Sequence, residues 1–379
     1  MRSVQGFRHS PRFVRLCLAL VLGPTSAFLS LEAKGSSLSP RGTKVEQHVA
    51  AKNDDWWQRA FLKLSQTGVL HFSEPVHEEI TGRIFDCEDG CNDADASAEY
   101  AGLFIIAGVR WNDDPPFQML PSEAQHTSCK TLQTIRFTTQ PYCWYQIFTA
   151  AKKMAASGQV PNAANHAPLL ARSHFGDLQF FHSMASQDGE TAAETQRRVM
   201  IWMEFTWRVA SGEYKLDTKL ADVKIDGFAQ FFGTSGWTVQ DLFTAGNPAL
   251  RRRITDVAFG SLLHTVEDSF AEGHVQREEA SPGACSATPQ LSAPPRVIEF
   301  HSYSHQDEKK HKEKDSRAAF LELFAKPANA VTVGKPLDDY YEKGASWETV
   351  RPYIDCIFTV VDPTTKASAG KEFAIEGAE

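Results

Sequence analysis

The run His264-Thr-Val-Glu-Asp-Ser-Phe-Ala-Glu-Gly-His274 constrains this chain more than any other stretch. It lies in an apolar segment, with Val257, Phe259, Leu262, Leu263, Val266 and Phe270, that reads as a helix. His264 and Asp268 are four residues apart, and side chains at i and i+4 stack on one helical face, about 5–6 Å apart at Cβ. An imidazole and a carboxylate presented that way can chelate one Zn²⁺, whose bonds to N and O are about 2.0–2.2 Å long. His274 follows just past Gly273, where the chain can turn a third ligand towards a neighbouring ion. The alternative is a helix carrying two incidental polar residues. Partners elsewhere in the chain decide between the two.

Around that segment the sequence is helical in character. Trp56, Trp57, Phe61 and Leu64 form one helical pattern, and Pro75 opens another with Val76, Ile80 and Ile84 on one face and His77 in its first turn. The stretch from Ala163 to Met184 reads as helical or extended around Ser173-His-Phe-Gly-Asp177. Gln196 to Ala210 is amphipathic, Pro248 to Glu272 reads as one long helix ending at Gly273, and His301 to Leu323 and Trp347 to Val361 read as two more. Convincing strand alternation is scarce, so the expected fold class is all-α, in one domain from residue 55 to residue 379.

The N-terminus stands apart from that domain. Arg2, Arg8, Arg12 and Arg15 precede the apolar run Leu16 to Gly23, and Pro24-Thr-Ser-Ala27 then supplies small residues. Basic, apolar and small segments in that order predict a secretory signal over residues 1–27, too short to span a bilayer. Residues 28–54, rich in Ser, Lys, Gly and Gln, read as a flexible leader. Cleavage after Ala27 removes four arginines and no acid, taking the formal charge from -8 to -12. So negative a chain is poorly suited to polyanions, and no stable nucleic-acid partner is expected. It also leaves Cys87, Cys91, Cys129, Cys143, Cys285 and Cys356, an even set that reads as up to three disulfides in an exported protein, periplasmic or extracellular.

The 13 histidines are unevenly placed, with His264, His274, His301, His305 and His311 falling within 48 residues. Core histidines are usually isolated, so this crowding argues for ligands. Carboxylates such as Asp114 and Asp268 are costly to bury bare, and a divalent ion offsets that cost. His182 and Asp177 read as core or outlying positions, and His311, in a Lys/Glu run, as a solvated face.

The spacing His264-x-x-x-Asp268-x-x-x-x-x-His274, with Phe300-His301-Ser302 downstream and Ser173-His174-Phe175 upstream, resembles the zinc-dependent phospholipases C and their relatives, the single-strand zinc nucleases. The resemblance runs from about His77 to His305 and rests on short motifs. It implies an all-α, exported enzyme that cleaves phosphodiesters with zinc ions held in a cleft: two, with a third possible. Carried over residue by residue, it implies that Asp114 (or Asp113), His174, His264 and Asp268 hold one ion and that His274, His301 and His305 hold a second. In this family Glu stands where the chain has His305. Asp268 would bridge to a third ion shared with His77, where the family uses an N-terminal Trp and this chain offers His71 or water. Asp114, with Asp113 beside it, would act on the attacking water. The substrate implied is a phospholipid at a membrane surface, with phosphatidylcholine the expected example, cleaved to diacylglycerol and a phosphorylated head group by a monomeric enzyme. Two other readings stand beside it: a single-strand nuclease or nucleotidase on the same scaffold, and a non-catalytic secreted zinc-binding protein.

Overall fold

The computed structural model describes residues 74–233, 236–245 and 253–375. The signal, the leader and the Trp56–Leu64 helix lie outside them. The described chain forms one mostly helical domain with thirteen α-helices and a single two-stranded sheet.

Its axis is the helix Ile254–Asp268, in which every residue except Thr255 is buried. A helix apolar on all sides belongs in the middle of a core. The all-apolar Leu103–Val109 packs along it at backbone distance: a Cβ on Gly108 would lie 2.2 Å from the Val257 carbonyl oxygen, and one on Gly260 would lie 2.1 Å from that of Ile105. Ala192–Ala210 also packs against it, started by the Thr191 side chain, which accepts from the Glu194 N–H. Its Trp202 stacks on Trp111 at 5.6 Å between ring centroids and packs against Phe181 and Phe243. We label these three helices α3 (Leu103–Val109), α6 (Ala192–Ala210) and α9 (Ile254–Asp268), in chain order.

Four further elements carry functional side chains. Helix α1 (Val76–Ile84) brings in His77, and α5 (Leu169–Phe175) with the 3-10 turn Gln179–His182 brings in His174 and His182. After α9 the chain enters a short antiparallel ribbon, β1 (Val275–Arg277) and β2 (Val297–Phe300), with Val275 opposite Phe300. The segment read as one helix from His301 is broken. Helix α10 (Glu308–Lys314) starts only at Asp307, whose side chain accepts from Lys309 and Lys310 N–H, and Ser316 starts α11 (Arg317–Phe324) anew. The last helix, α13 (Trp347–Ile357), ends four residues before Val361 and follows α12 (Ala330–Glu342), an element that sequence patterning did not reveal.

Disulfides join Cys87 to Cys91, Cys129 to Cys143 and Cys285 to Cys356. Three bridges point to an oxidising, extracytoplasmic location. No helix among the described residues is long and apolar enough to cross a membrane.

Candidate metal centre

The C-terminal end of α9 is where the polar groups of this core converge. His264 and Asp268, one turn apart, are fully buried, and so is His274 beyond the helix end. Opposite them, the end of α3 leads into Asn112, whose Nδ2 donates to the carbonyls of Phe181 and Ser261 at 2.8 and 3.2 Å. That brace fixes the next residue, Asp113, against α9. Three groups of side chains there could each hold a metal ion.

The first comprises Asp113, His182 and His264. The His264 Nδ1 lies 2.6 Å from the Val109 carbonyl oxygen, an acceptor, so that nitrogen carries the hydrogen and Nε2 is the atom that could take a metal ion. Asp268 closes this group, its Oδ2 lying 2.8 Å from both His264 Nε2 and His182 Nδ1. The second group is His274, His311 and Asp315. His274 gives its Nδ1 to the His182 carbonyl at 2.9 Å and aims Nε2 at Asp315, 3.6 Å away, while His311 Nε2 lies 2.9 Å from the other Asp315 oxygen. A Cβ on Gly273 would stand 2.9 Å from His311 Nδ1, so glycine is what lets this ring approach. The third group is His77, His264 and Asp268, with His77 Nε2 3.3 Å from Asp268 Oδ1. Asp268 thus turns one oxygen to each of two groups.

Burial and charge here pull in opposite directions. Burial pushes the Asp113 carboxyl up to about 7 despite the imidazoles of His182 and His77. It also works against Asp268 and Asp315, yet His274, with His264 and His77 for one and His311 for the other, holds both below the usual carboxylate range. His274 is depressed by burial but raised more by Asp268 and Asp315, reaching about 9. Neither oxygen of Asp113 has a hydrogen-bond donor among the described residues, while Asp315 faces the ring nitrogens of His274 and His311 and His77 Nε2 faces Asp268. Orphaned buried acceptors beside buried imidazoles form a donor set of N and O that suits a divalent cation of the zinc type.

Several sequence-assigned residues take other places. Asp114 Oδ1 accepts the Phe137 N–H at 2.9 Å and its Oδ2 lies 3.2 Å from Arg136 Nε, so Asp113 is the member of the pair that faces the clusters. His174 sits beside the first group, its ring centroid 5.3 Å from that of His182, with its Nδ1 facing the Leu170 carbonyl at 3.1 Å; His182 is the histidine that joins Asp113 and His264 in that group. His301 lies at the end of β2 with Nδ1 3.2 Å from the Gly273 carbonyl, behind His274 rather than beside it. His305 is exposed, in a left-handed turn (φ 64°), and faces Asp188 at 2.8 Å. The helix that would have placed His301 and His305 on one face does not begin until Glu308, so the i,i+4 pair falls instead on His311 and Asp315. That pair was visible as His-x-x-x-Asp, the spacing of His264 and Asp268, hidden by flanking lysines. No local spacing distinguishes His182 from His174; only the 3-10 turn that buries it does.

No family model matches this chain, and comparisons with curated proteins and with solved structures give no significant match.

Proposed function

We propose that this protein is a zinc-dependent phosphodiester hydrolase of the phospholipase C type. The observation that carries the reading is Asp268, a buried carboxylate that presents one oxygen to the Asp113/His182/His264 group and the other to His77. A shared carboxylate brings ions close together, as two-metal phosphoryl chemistry requires. His274, His311 and Asp315 make three protein ligands and His77 with Asp268 two, which leaves room for water and substrate, as catalytic rather than structural zinc sites do.

Asp113, His182, His264 and Asp268 would hold one ion, His274, His311 and Asp315 a second, and His77 with Asp268 a third. Ions held there would neutralise the phosphodiester, supply ionised water near neutral pH and stabilise the leaving alkoxide. The protein's own part is orientation. The Val109 and His182 carbonyls fix the His264 and His274 rings, and Asp113, braced by Asn112, orients the attacking water and accepts its proton. A lipid substrate is supported by the formal charge of -8, unfavourable for polyanions. The test is metal content per chain together with product analysis from phosphatidylcholine vesicles and from single-stranded DNA and RNA, before and after chelation. The proposal expects diacylglycerol release that chelation abolishes and zinc restores. Mononucleotide release alone would replace lipid with nucleic acid as substrate, and a chain that binds no zinc would end the hydrolase reading.

A further inference from the structure

One buried carboxylate beside the clusters has no part in that scheme. Glu267 is 2% exposed on α9, next to Asp268 in sequence and so turned by about 100° from it around the helix. Its Oε2 lies 2.7 Å from His77 Nδ1, and its Oε1 accepts the Thr81 hydroxyl at 2.6 Å. His77 and Thr81 are one turn apart on α1, so a single helix face delivers both groups to one carboxylate. A carboxylate oxygen accepts, so His77 Nδ1 carries the hydrogen and Nε2 is the nitrogen turned towards Asp268 Oδ1.

We propose that Glu267 is the positioning residue of the third group: it selects the His77 tautomer and ring orientation that make His77 and Asp268 a site for a divalent cation, and it sets that ion's affinity separately from the other two. His264 belongs to both the first and the third group, but with Nδ1 committed to the Val109 carbonyl it has one ligating nitrogen and serves one ion. Placed in the first group, it leaves the third with His77 and Asp268 alone, and a site with two protein ligands depends heavily on how each is held. The His264 and His274 rings are oriented by neutral carbonyls. His77 is oriented by an anion, which makes its Nε2 a stronger donor and adds negative charge beside the ion.

The inference rests on the metal-centre reading, and the experiment separates the two. Zinc binding to the full chain is titrated for wild type, Glu267→Gln, Glu267→Asp and Thr81→Val, and His77 is followed by ¹⁵N NMR in the metal-free protein at alkaline pH, where the ring is neutral. Glu267→Gln is expected to weaken one equivalent of zinc by about 10–100-fold while the others keep their affinity, which also shows that the variant is folded. Glu267→Asp, which retains the anion, is expected to recover part of the loss, and Thr81→Val to give a smaller loss of the same equivalent. The NMR spectrum of wild type is expected to show the Nδ1–H tautomer. Unchanged zinc affinities in Glu267→Gln, or an Nε2–H tautomer in wild type, would overturn the inference. A wild type that binds no zinc but shows the Nδ1–H tautomer would remove the metal reading and leave the His77–Glu267 pairing standing.

Discussion

Neither oxygen of Asp113 meets a hydrogen-bond donor among the described residues, whereas Asp114 beside it takes the Phe137 N–H and lies against Arg136. Opposite results follow from the same substitution at the two positions. Asp113→Asn removes a buried acid whose ionisation burial opposes, so with chelator present the variant is expected to unfold at a higher temperature than wild type while its zinc affinity falls steeply. Asp114→Asn takes a charged partner from the buried Arg136, and about 3 kcal/mol of stability is expected to go with it. Thermal and urea denaturation with and without zinc distinguish the two, and equal effects would contradict the assignment of Asp113 to the clusters. The histidines separate in the same way. His311→Ala is expected to lose one zinc equivalent and His305→Ala none, because His311 is 1% exposed and faces Asp315 while His305 sits at the surface against Asp188. Much of this was readable beforehand. His264, Asp268 and His274 follow from a helical spacing and a glycine. His182 and His311 did not, since their burial is decided by a 3-10 turn and by a helix start at Asp307, contacts to which local pattern is blind.

At the level of elements, two glycines near the centre do different work. Gly260 lets α9 touch the backbone of α3, and Gly273 lets His311 reach the second group. Gly260→Ala is expected to force the two helices apart and cost stability, by about 1–3 kcal/mol or more, in metal-free and zinc-loaded protein alike. Gly273→Ala is expected to disturb chiefly His311, lowering the affinity for one zinc while the metal-free protein unfolds close to the wild-type temperature. Zinc titration beside urea denaturation reads both, and a Gly273→Ala variant with all its zinc intact would show that the ring has room to yield. Elements with a strong apolar period, α1, α6 and α13, are legible in sequence to within a few residues; α9 ends four residues before the expected Glu272, and its expected start at Pro248 lies outside the described residues. The region after His301 was misread because Lys and Glu runs favour helix throughout, while the break depends on the caps at Asp307 and Ser316.

For the molecule as a whole, the buried acids and imidazoles couple folding, protons and metal. His274 is held near 9 when folded against an ordinary 6.5, so the proton it keeps stabilises the metal-free protein fully below about pH 6.5, and that contribution is lost as pH rises through 9. Asp113, raised from 3.8 to about 7, acts in the same direction over a lower window, its contribution disappearing between those values. Asp268 and Asp315, held low, oppose this only on the acid side, where protonating them removes stability as pH falls. Burial holds His174, His182, His264 and His301 below their ordinary value, so these withdraw stability as pH falls below about 6.5, and the metal-free protein should weaken as pH rises from there to 9. Zinc needs Asp113 ionised and His274 neutral, so binding releases protons and tightens over that same range. The gap in unfolding temperature between zinc-loaded and metal-free protein is thus expected to widen with pH. At zinc levels about 1,000-fold above Kd it reaches about 4 kcal/mol per ion, on the order of 10 °C for a domain of this size. Calorimetry of both forms at pH 6 and 8.5, with proton release measured in weakly buffered solution, tests this. A metal-free unfolding temperature that rises over the interval, or zinc binding without proton release, would mean that His274 and Asp113 do not share the proton balance their surroundings imply.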